Sequence, residues 1–317
     1  MILEVQHETR FEFSEPVTEV LTEVRMEPAS DGDQSCHSYH LAVTPATGVF
    51  RHQDGFGNCV HHFNLLQPLR ELRVLSASVV ETHLRPRDLA ASRAAFPLGP
   101  DDHPLEVLDF VRLGGPVRPT PRLTPLLDAL RPQAGDRVAD LVRRVAGFIH
   151  ERFEYARDVT LASSPVDDLL REGKGVCQDF THLMLALLRS FGVPARYVSG
   201  YLHREAESQS HAWCEAWVPD LGWVGIDPTN DCQVNDHFIK VGVGRDFTDV
   251  PPNKGVYRGR GEESISVRVE TRALDRLPSV SWQEQLPPLN VPLVPIVLRT
   301  REEPPEAEDS EQQQQQQ

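Results

Sequence analysis

The first pattern in the chain has period two. Leu3, Val5, His7, Thr9, Phe11 and Phe13 alternate with Glu4, Gln6, Glu8, Arg10 and Glu12. One face is apolar and the other polar, which predicts a half-buried β-strand. Pro16 is expected to break it, and a second strand is expected over Val17–Met26. Asp31-Gly32-Asp33 marks a turn. Short strands follow at Tyr39–Val43 and Val49–His52, then a glycine-rich turn, Asp54-Gly55-Phe56-Gly57-Asn58, and strands at Cys59–Leu65 and Glu71–His83. Strands at this spacing predict an antiparallel β-sandwich over residues 1–84. No chemistry is evident in it, so it reads as a scaffold or substrate-positioning domain.

Residues 85–135 are rich in proline, with short helices expected at Pro104–Leu113 and Pro121–Leu130. From Asp136 the period becomes helical. Val138, Leu141, Val142, Val145, Phe148, Ile149 and Phe153 share one face, opposite Arg137, Arg143, Arg144 and Glu151. Ser164 as cap and Pro165 at the first position begin a short helix that ends at Gly173.

The central stretch is Gly173–Gly192. Phe180, Leu183, Met184, Leu187, Leu188 and Phe191 recur at helical spacing and predict a helix with one buried face. Gln178 and Asp179 fall in its first turn, where acidic groups suit the unpaired N–H groups. Gly192 and Pro194 end it. Cys177 opens this helix. A thiol there meets unpaired amides and a positive end-charge, and both favour the nucleophilic thiolate. A small buried cysteine is the plainer reading of that residue alone.

The period then returns to two. Ala195–Leu202, His211–Val218 and Trp223–Asp227 read as strands, with a polar loop at 203–210 and a turn at Pro219–Gly222. Ser264–Ala273 adds one more. Helices followed by antiparallel strands give an α+β chain. The organisation is thus an N-terminal β-domain (1–84), a proline-rich connection (85–135), an α+β core (136–275) and a proline-rich, acidic, poly-Gln tail (276–317) expected to be largely disordered.

The hairpin can be tested by counting. If Val218 faces Gly222, then Trp213 faces Asp227. His211, two residues from Trp213, lies on the same face as Asp227 and diagonal to it, roughly 7–8 Å away at Cα. A cysteine, a histidine and an aspartate then form the set that covalent acyl transfer needs. The imidazole takes and returns a proton, and the carboxylate fixes its tautomer. The Cys177 amide would hold the oxyanion together with a second donor, for which Tyr155 and then Gln178 are candidates. Trp213 reads as a core aromatic or a cleft wall. Glu215 shares the face of His211, as a satisfied buried acid or an outer partner of the triad. Lys174 and Arg171 read as solvated charges near the nucleophile.

Composition narrows the classes. The 317 residues carry a formal charge of -15, which argues against a nucleic-acid partner and an anionic membrane surface. No run approaches the ~18 apolar residues of a membrane span, and the N-terminus lacks the pattern of a secretory signal. Cys36, Cys59, Cys177, Cys214 and Cys232 show no paired spacing, so a cytoplasmic protein with reduced thiols, no metal and no cofactor is expected. His61-His62 is expected at a surface strand end.

Three stretches resemble the catalytic blocks of the transglutaminase-like superfamily: Gly175-Val-Cys-Gln-Asp-Phe-Thr-His-Leu, His211-Ala-Trp-Cys-Glu-Ala-Trp-Val and Gly222-Trp-Val-Gly-Ile-Asp-Pro-Thr. The branch it resembles is the bacterial one with an extra N-terminal β-domain. The resemblance covers about residues 1–275 and includes Asp54–Asn58 and 243–259. It implies a papain-like core, with Cys177 as nucleophile, His211 as base and Asp227 as orienting acid. The superfamily contains cross-linking enzymes, peptidases, amidases and inactive members, and no calcium-loop cluster is seen here. The expectation is a cysteine peptidase or amidase acting on peptide or protein amides. The alternatives are a transglutaminase that passes the acyl group to an amine, and a non-catalytic binding module on the same fold. Oligomeric state is not legible.

Overall fold

The computed structural model describes residues 1–157, 164–204 and 209–278. The strands are β1 (Ile2–Val24), β2 (Gln34–Thr44), β3 (Val49–Gln53), β4 (Cys59–Leu65), β5 (Leu69–Thr82), β6 (Glu154–Tyr155), β7 (Lys174–Gly175), β8 (Ala195–Leu202), β9 (Gln209–Val218), β10 (Gly222–Asp227), β11 (Cys232–Gln233), β12 (Phe238–Gly244), β13 (Asn253–Arg258) and β14 (Glu263–Leu274). The α-helices are α1 (Thr124–Leu130), α2 (Val138–Arg152), α3 (Val166–Glu172) and α4 (Cys177–Ser190).

β1 is one continuous strand, and Pro16 does not end it. Its first half pairs with β5 and β14, and its second half with β4 and β13. The register against β5 slips between Glu12 and Val17. Pro16 sits in that corner, where its missing N–H breaks no ladder bond. The two arms close over a shared core of Phe11, Phe13, Val17, Phe63, Leu72 and Val74. β13 and β14 come from residues expected in the α+β core. They complete the N-terminal sheet instead, so that sheet is assembled from both ends of the chain. The His61-His62 pair lies inside β4, not at its end. His61 is buried, with Nε2 3.4 Å from Glu27.

The second sheet runs β11-β10-β9-β8-β12, all antiparallel. Ala212, Cys214, Ala216 and Val218 of β9 face α4, and the odd positions face away. Where one buried face was expected on α4, every residue from Gln178 to Arg189 is buried. The helix is central, enclosed by the sheet, α2, α3 and the 3₁₀ turns of the proline-rich connection. Arg189, also buried, donates to the Ala195 carbonyl from Nε (3.0 Å) and Nη2 (2.8 Å), and to the Arg112 carbonyl at 3.0 Å. α3 begins without the expected serine cap. Pro165 is its N-cap residue and no side chain caps it.

The two sheets are joined closely. Leu3, Val5 and Val80 pack on Tyr201, Ile239 and Val241. Asn58, in the glycine-rich turn, donates to the Val243 carbonyl at 2.8 Å and accepts from its N–H at 2.7 Å. Gln34 clamps the backbone of Lys240 in the same two-way fashion. The N-terminal sheet therefore braces β8 and β12, behind the strands that carry the candidate chemistry. Among the described residues no helix is long and apolar enough to cross a membrane. The expected tail falls beyond Pro278, largely outside the described residues, as do residues 205–208 of the polar loop.

Candidate active site

Cys177 is the first residue of α4, and its position is set by its neighbours. Asp179, two residues on, accepts from the Val176 N–H at 2.8 Å and so closes the turn into the helix. A Cβ on Gly175 would lie 2.7 Å from the Asp179 carboxylate and 3.0 Å from Leu169, so only glycine fits there. β7 pairs in parallel with β6, matching Tyr155 with Gly175, which lays Tyr155 beside the entry to Cys177. The Cys177 N–H belongs to the first helical turn, whose amides have no partner within the helix.

His211 and Asp227 meet as the count predicts. The ladder runs from Gly222↔Val218 to Ile226↔Cys214 without a slip. His211 Nε2 lies 2.8 Å from Asp227 Oδ2. The Cys177 thiol lies within electrostatic range of His211 and favours the charged imidazole. With Nε2 taken by Asp227, the nitrogen left for the thiol is Nδ1. Burial opposes a charge on His211, but Asp227 and Cys177 outweigh it and push its pKa up to about 10. Burial likewise opposes the charge on Asp227, and His211, Asn230 and Thr229 overcome it to hold the carboxyl below its usual range. Asp227 is fully buried and accepts from Thr229 N (2.8 Å), Asn230 N (3.3 Å) and Asn230 Nδ2 (2.5 Å). These two residues were not singled out from the sequence. The signal available was Asp-Pro-Thr-Asn at a strand end, where an aspartate bonds the backbone two and three residues on.

The other candidates are dispersed around this pair. Trp213 is buried behind His211, not in the cleft wall. Its ring is stacked at 6.4 Å from the imidazole, and Phe238 touches both. Its benzo edge lies where a Cβ on Gly200 would be, at 2.6 Å. Glu215 is a satisfied buried acid. Arg196 Nε donates to it at 2.7 Å and Lys240 Nζ lies 2.8 Å away. Tyr155 is 44% exposed and lines the cleft with His211. Gln178 is buried in the first turn of α4. Lys174 pairs with Glu154 at 2.8 Å and Arg171 with Asp168 at 3.0 Å, both as exposed ion pairs. Among the described residues, Arg157 and Arg204 border the cleft. Among the described residues no group of three or more His, Cys, Asp or Glu side chains is arranged to hold a metal ion.

Comparison with known proteins agrees with this architecture. Residues 128–228 match the transglutaminase-like superfamily, and residues 3–81 match the bacterial transglutaminase-like N-terminal region. An uncharacterized protein of Mycobacterium leprae is 37% identical over 287 residues, covering 86% of this chain and 99% of its own. A protein-glutamine gamma-glutamyltransferase of Pseudomonas aeruginosa is 36% identical over 131 residues, 36% of this chain and 19% of that one. A crystal structure of a candidate cysteine protease from Cytophaga hutchinsonii has the same fold. Its TM-score is 0.75 at 20% identity, over 92% of this chain and 95% of that one.

Proposed function

The chain belongs to the transglutaminase-like superfamily, in the branch with a bacterial transglutaminase-like N-terminal region, and on that footing we propose that it is a thiol-dependent acyl-transfer enzyme acting on amide bonds of peptides or proteins. The observation that supports this most is the buried His211–Asp227 pair, 2.8 Å apart, with the Cys177 thiol at the start of a buried helix within electrostatic range of the imidazole.

The steps follow from the atoms. The Cys177 thiolate attacks the amide carbonyl carbon. The carbonyl oxygen becomes an oxyanion, held by the Cys177 N–H and a second donor, for which Tyr155 and then Gln178 are the candidates. His211 carries a proton on Nδ1 and keeps its Nε2–H on Asp227. It gives the Nδ1 proton to the amide nitrogen as the C–N bond breaks. The amine leaves and a thioester remains. His211 Nδ1 then takes a proton from the incoming nucleophile as that nucleophile attacks and the C–S bond breaks, which restores the starting state.

Hydrolysis is the favoured outcome. Among the described residues His211 borders a cleft whose edge carries the exposed Tyr155, which gives a water nucleophile a route to the imidazole that would activate it. Transfer to an amine is the second reading, favoured by the gamma-glutamyltransferase relative. An activity screen on peptide amides, with and without a primary amine acceptor, tests both. Hydrolysis predicts product acid whose yield is unaffected by the amine. Transfer predicts an amine adduct that displaces the acid. Both must vanish in Cys177→Ala. Activity retained in that variant rules out the thiol mechanism.

A further inference from the structure

Among the described residues β14 is hydrogen-bonded to a strand on one side only. It is 12 residues long and pairs with the first half of β1, from Phe13↔Glu263 to Ile2↔Leu274, without a slip. Its other edge presents backbone N–H and C=O groups over roughly 40 Å. Proline and bulges, which commonly blunt such an edge, are absent from it. Ile265 pairs with Phe11, Val267 with Thr9 and Val269 with His7. These three therefore continue the face on which Phe11, Thr9 and His7 are buried. Yet Ile265 is 56% exposed and Val267 53%. The apolar face of the sheet runs out to this edge with no cover among the described residues. The other face of β14 carries Arg268 and Glu270, which pair with each other as a solvated surface contact.

The strand is complementary to itself. In a twofold pair of antiparallel strands, directly opposed side chains share a face. With Val269 on the axis, Arg268 meets Glu270 of a second copy and Glu270 meets that copy's Arg268, while Val267 meets Thr271 and Ile265 meets Ala273. Moving the register one step either way sets Arg268 against its own equivalent, or Glu270 against its own, and like charges directly opposite are destabilising. From this pattern we propose that β14 is a homodimer interface, in which two copies join edge to edge through antiparallel β14 strands with Val269 on the twofold axis. The competing occupant is the rest of the chain, 279–317. Its apolar part carries Pro287, Pro288, Pro292 and Pro295, which lack the N–H donors a ladder needs. The interface reaches toward the cleft: Thr271 Oγ1 lies 2.7 Å from His203 Nδ1, and His203 stands between Leu202 and Arg204, which border it. The inference does not rest on the acyl-transfer reading.

The test uses the full chain. Sedimentation equilibrium should show a reversible dimer by about 100 µM, a concentration that populates even a weak interface. Arg268→Glu sets like charges across the axis twice and should raise the dimer dissociation constant about tenfold. Arg268→Glu combined with Glu270→Arg restores the opposition and should return the constant to its original value. Val269→Cys should cross-link to its own equivalent under mild oxidation, because Cα atoms on the axis stand about 4.5–5.5 Å apart, within disulfide reach. Ile265→Cys should not, because its equivalent lies eight positions along the facing strand, roughly 27 Å away. A monomer at every concentration, including one whose own tail covers the edge, overturns the proposal. So does a dimer indifferent to the charge reversals, or equal cross-linking at 265 and 269.

Discussion

His211 and Asp227 stand diagonal to each other on adjacent strands, and their side chains close the gap to 2.8 Å between Nε2 and Oδ2. The hairpin ladder sets this contact, since a slip of one residue would send the two groups to opposite faces. The same contact holds the imidazole proton, which gives the pair a defined pH response.

For Asp227→Asn the catalytic rate should fall by about 10²–10⁴, the range lost when a positioned acid–base group is disabled. In an NMR titration the His211 pKa should drop from about 10 toward its ordinary value. The sign on stability is set by the same shift. A histidine raised from its usual ~6.5 stabilises the fold fully below that pH and loses this contribution as pH rises through its folded value. Asp227, held low, stabilises above its usual ~3.9 and loses this as pH falls through its folded value. Chemical denaturation of the unsubstituted chain should therefore weaken between pH ~6.5 and ~10 more steeply than that of His211→Gln. Parallel curves would contradict the assignment.

Gly175→Ala tests the seat of the nucleophile. The new methyl would meet the Asp179 carboxylate at 2.7 Å and Leu169 at 3.0 Å. Overpacking of this kind costs about 1–3 kcal/mol. Activity should fall further than stability alone explains, because Asp179 would move off the Val176 amide that sets the start of α4. A variant with unchanged melting temperature and rate would show that the turn has slack.

Glu215 offers a third test, on the face of β9 that carries His211. It is enclosed by Arg196 and Lys240, and Lys240 also reaches Asp31 at 3.1 Å. Burial opposes its charge, but the two cations hold its carboxyl below the usual range. Glu215→Ala leaves the half-buried Arg196 without its ion-pair partner and Lys240 with Asp31 alone, a loss of about 1.5–3 kcal/mol. The denaturant midpoint should shift with little change in slope. A loss below about 1 kcal/mol would mean the cluster is solvated like a surface pair.

Much of this arrangement was legible along the chain because its signals are local. The apolar repeat of α4, the alternation of β8 to β10 and the turn at 219–222 were enough to place Cys177, His211 and Asp227 on a helix start and two paired strands. What was not legible depends on distant partners. β13 and β14 carry ordinary alternation, and nothing in it says that their partner is β1, more than two hundred residues away in sequence. Pro16 reads as a break because the pattern cannot show that β1 changes partners there. The short strand β11 has too few residues for a period. The even burial of α4 follows from the 3₁₀ turns at 105–117, whose cover the helix's own sequence cannot announce.

The central claim is that Cys177 is the activated thiol, and alkylation resolved by site measures it most directly. Burial raises the other thiols: Cys36 to about 12, Cys232 to about 11, and Cys59 and Cys214 also upward. Under limiting iodoacetamide at pH 7, with each cysteine followed by mass spectrometry, Cys177 should be labelled fastest of the five. Its rate should drop in His211→Gln while the other four stay unchanged. Faster labelling of Cys36, Cys59, Cys214 or Cys232, or a Cys177 rate indifferent to His211, would contradict the account.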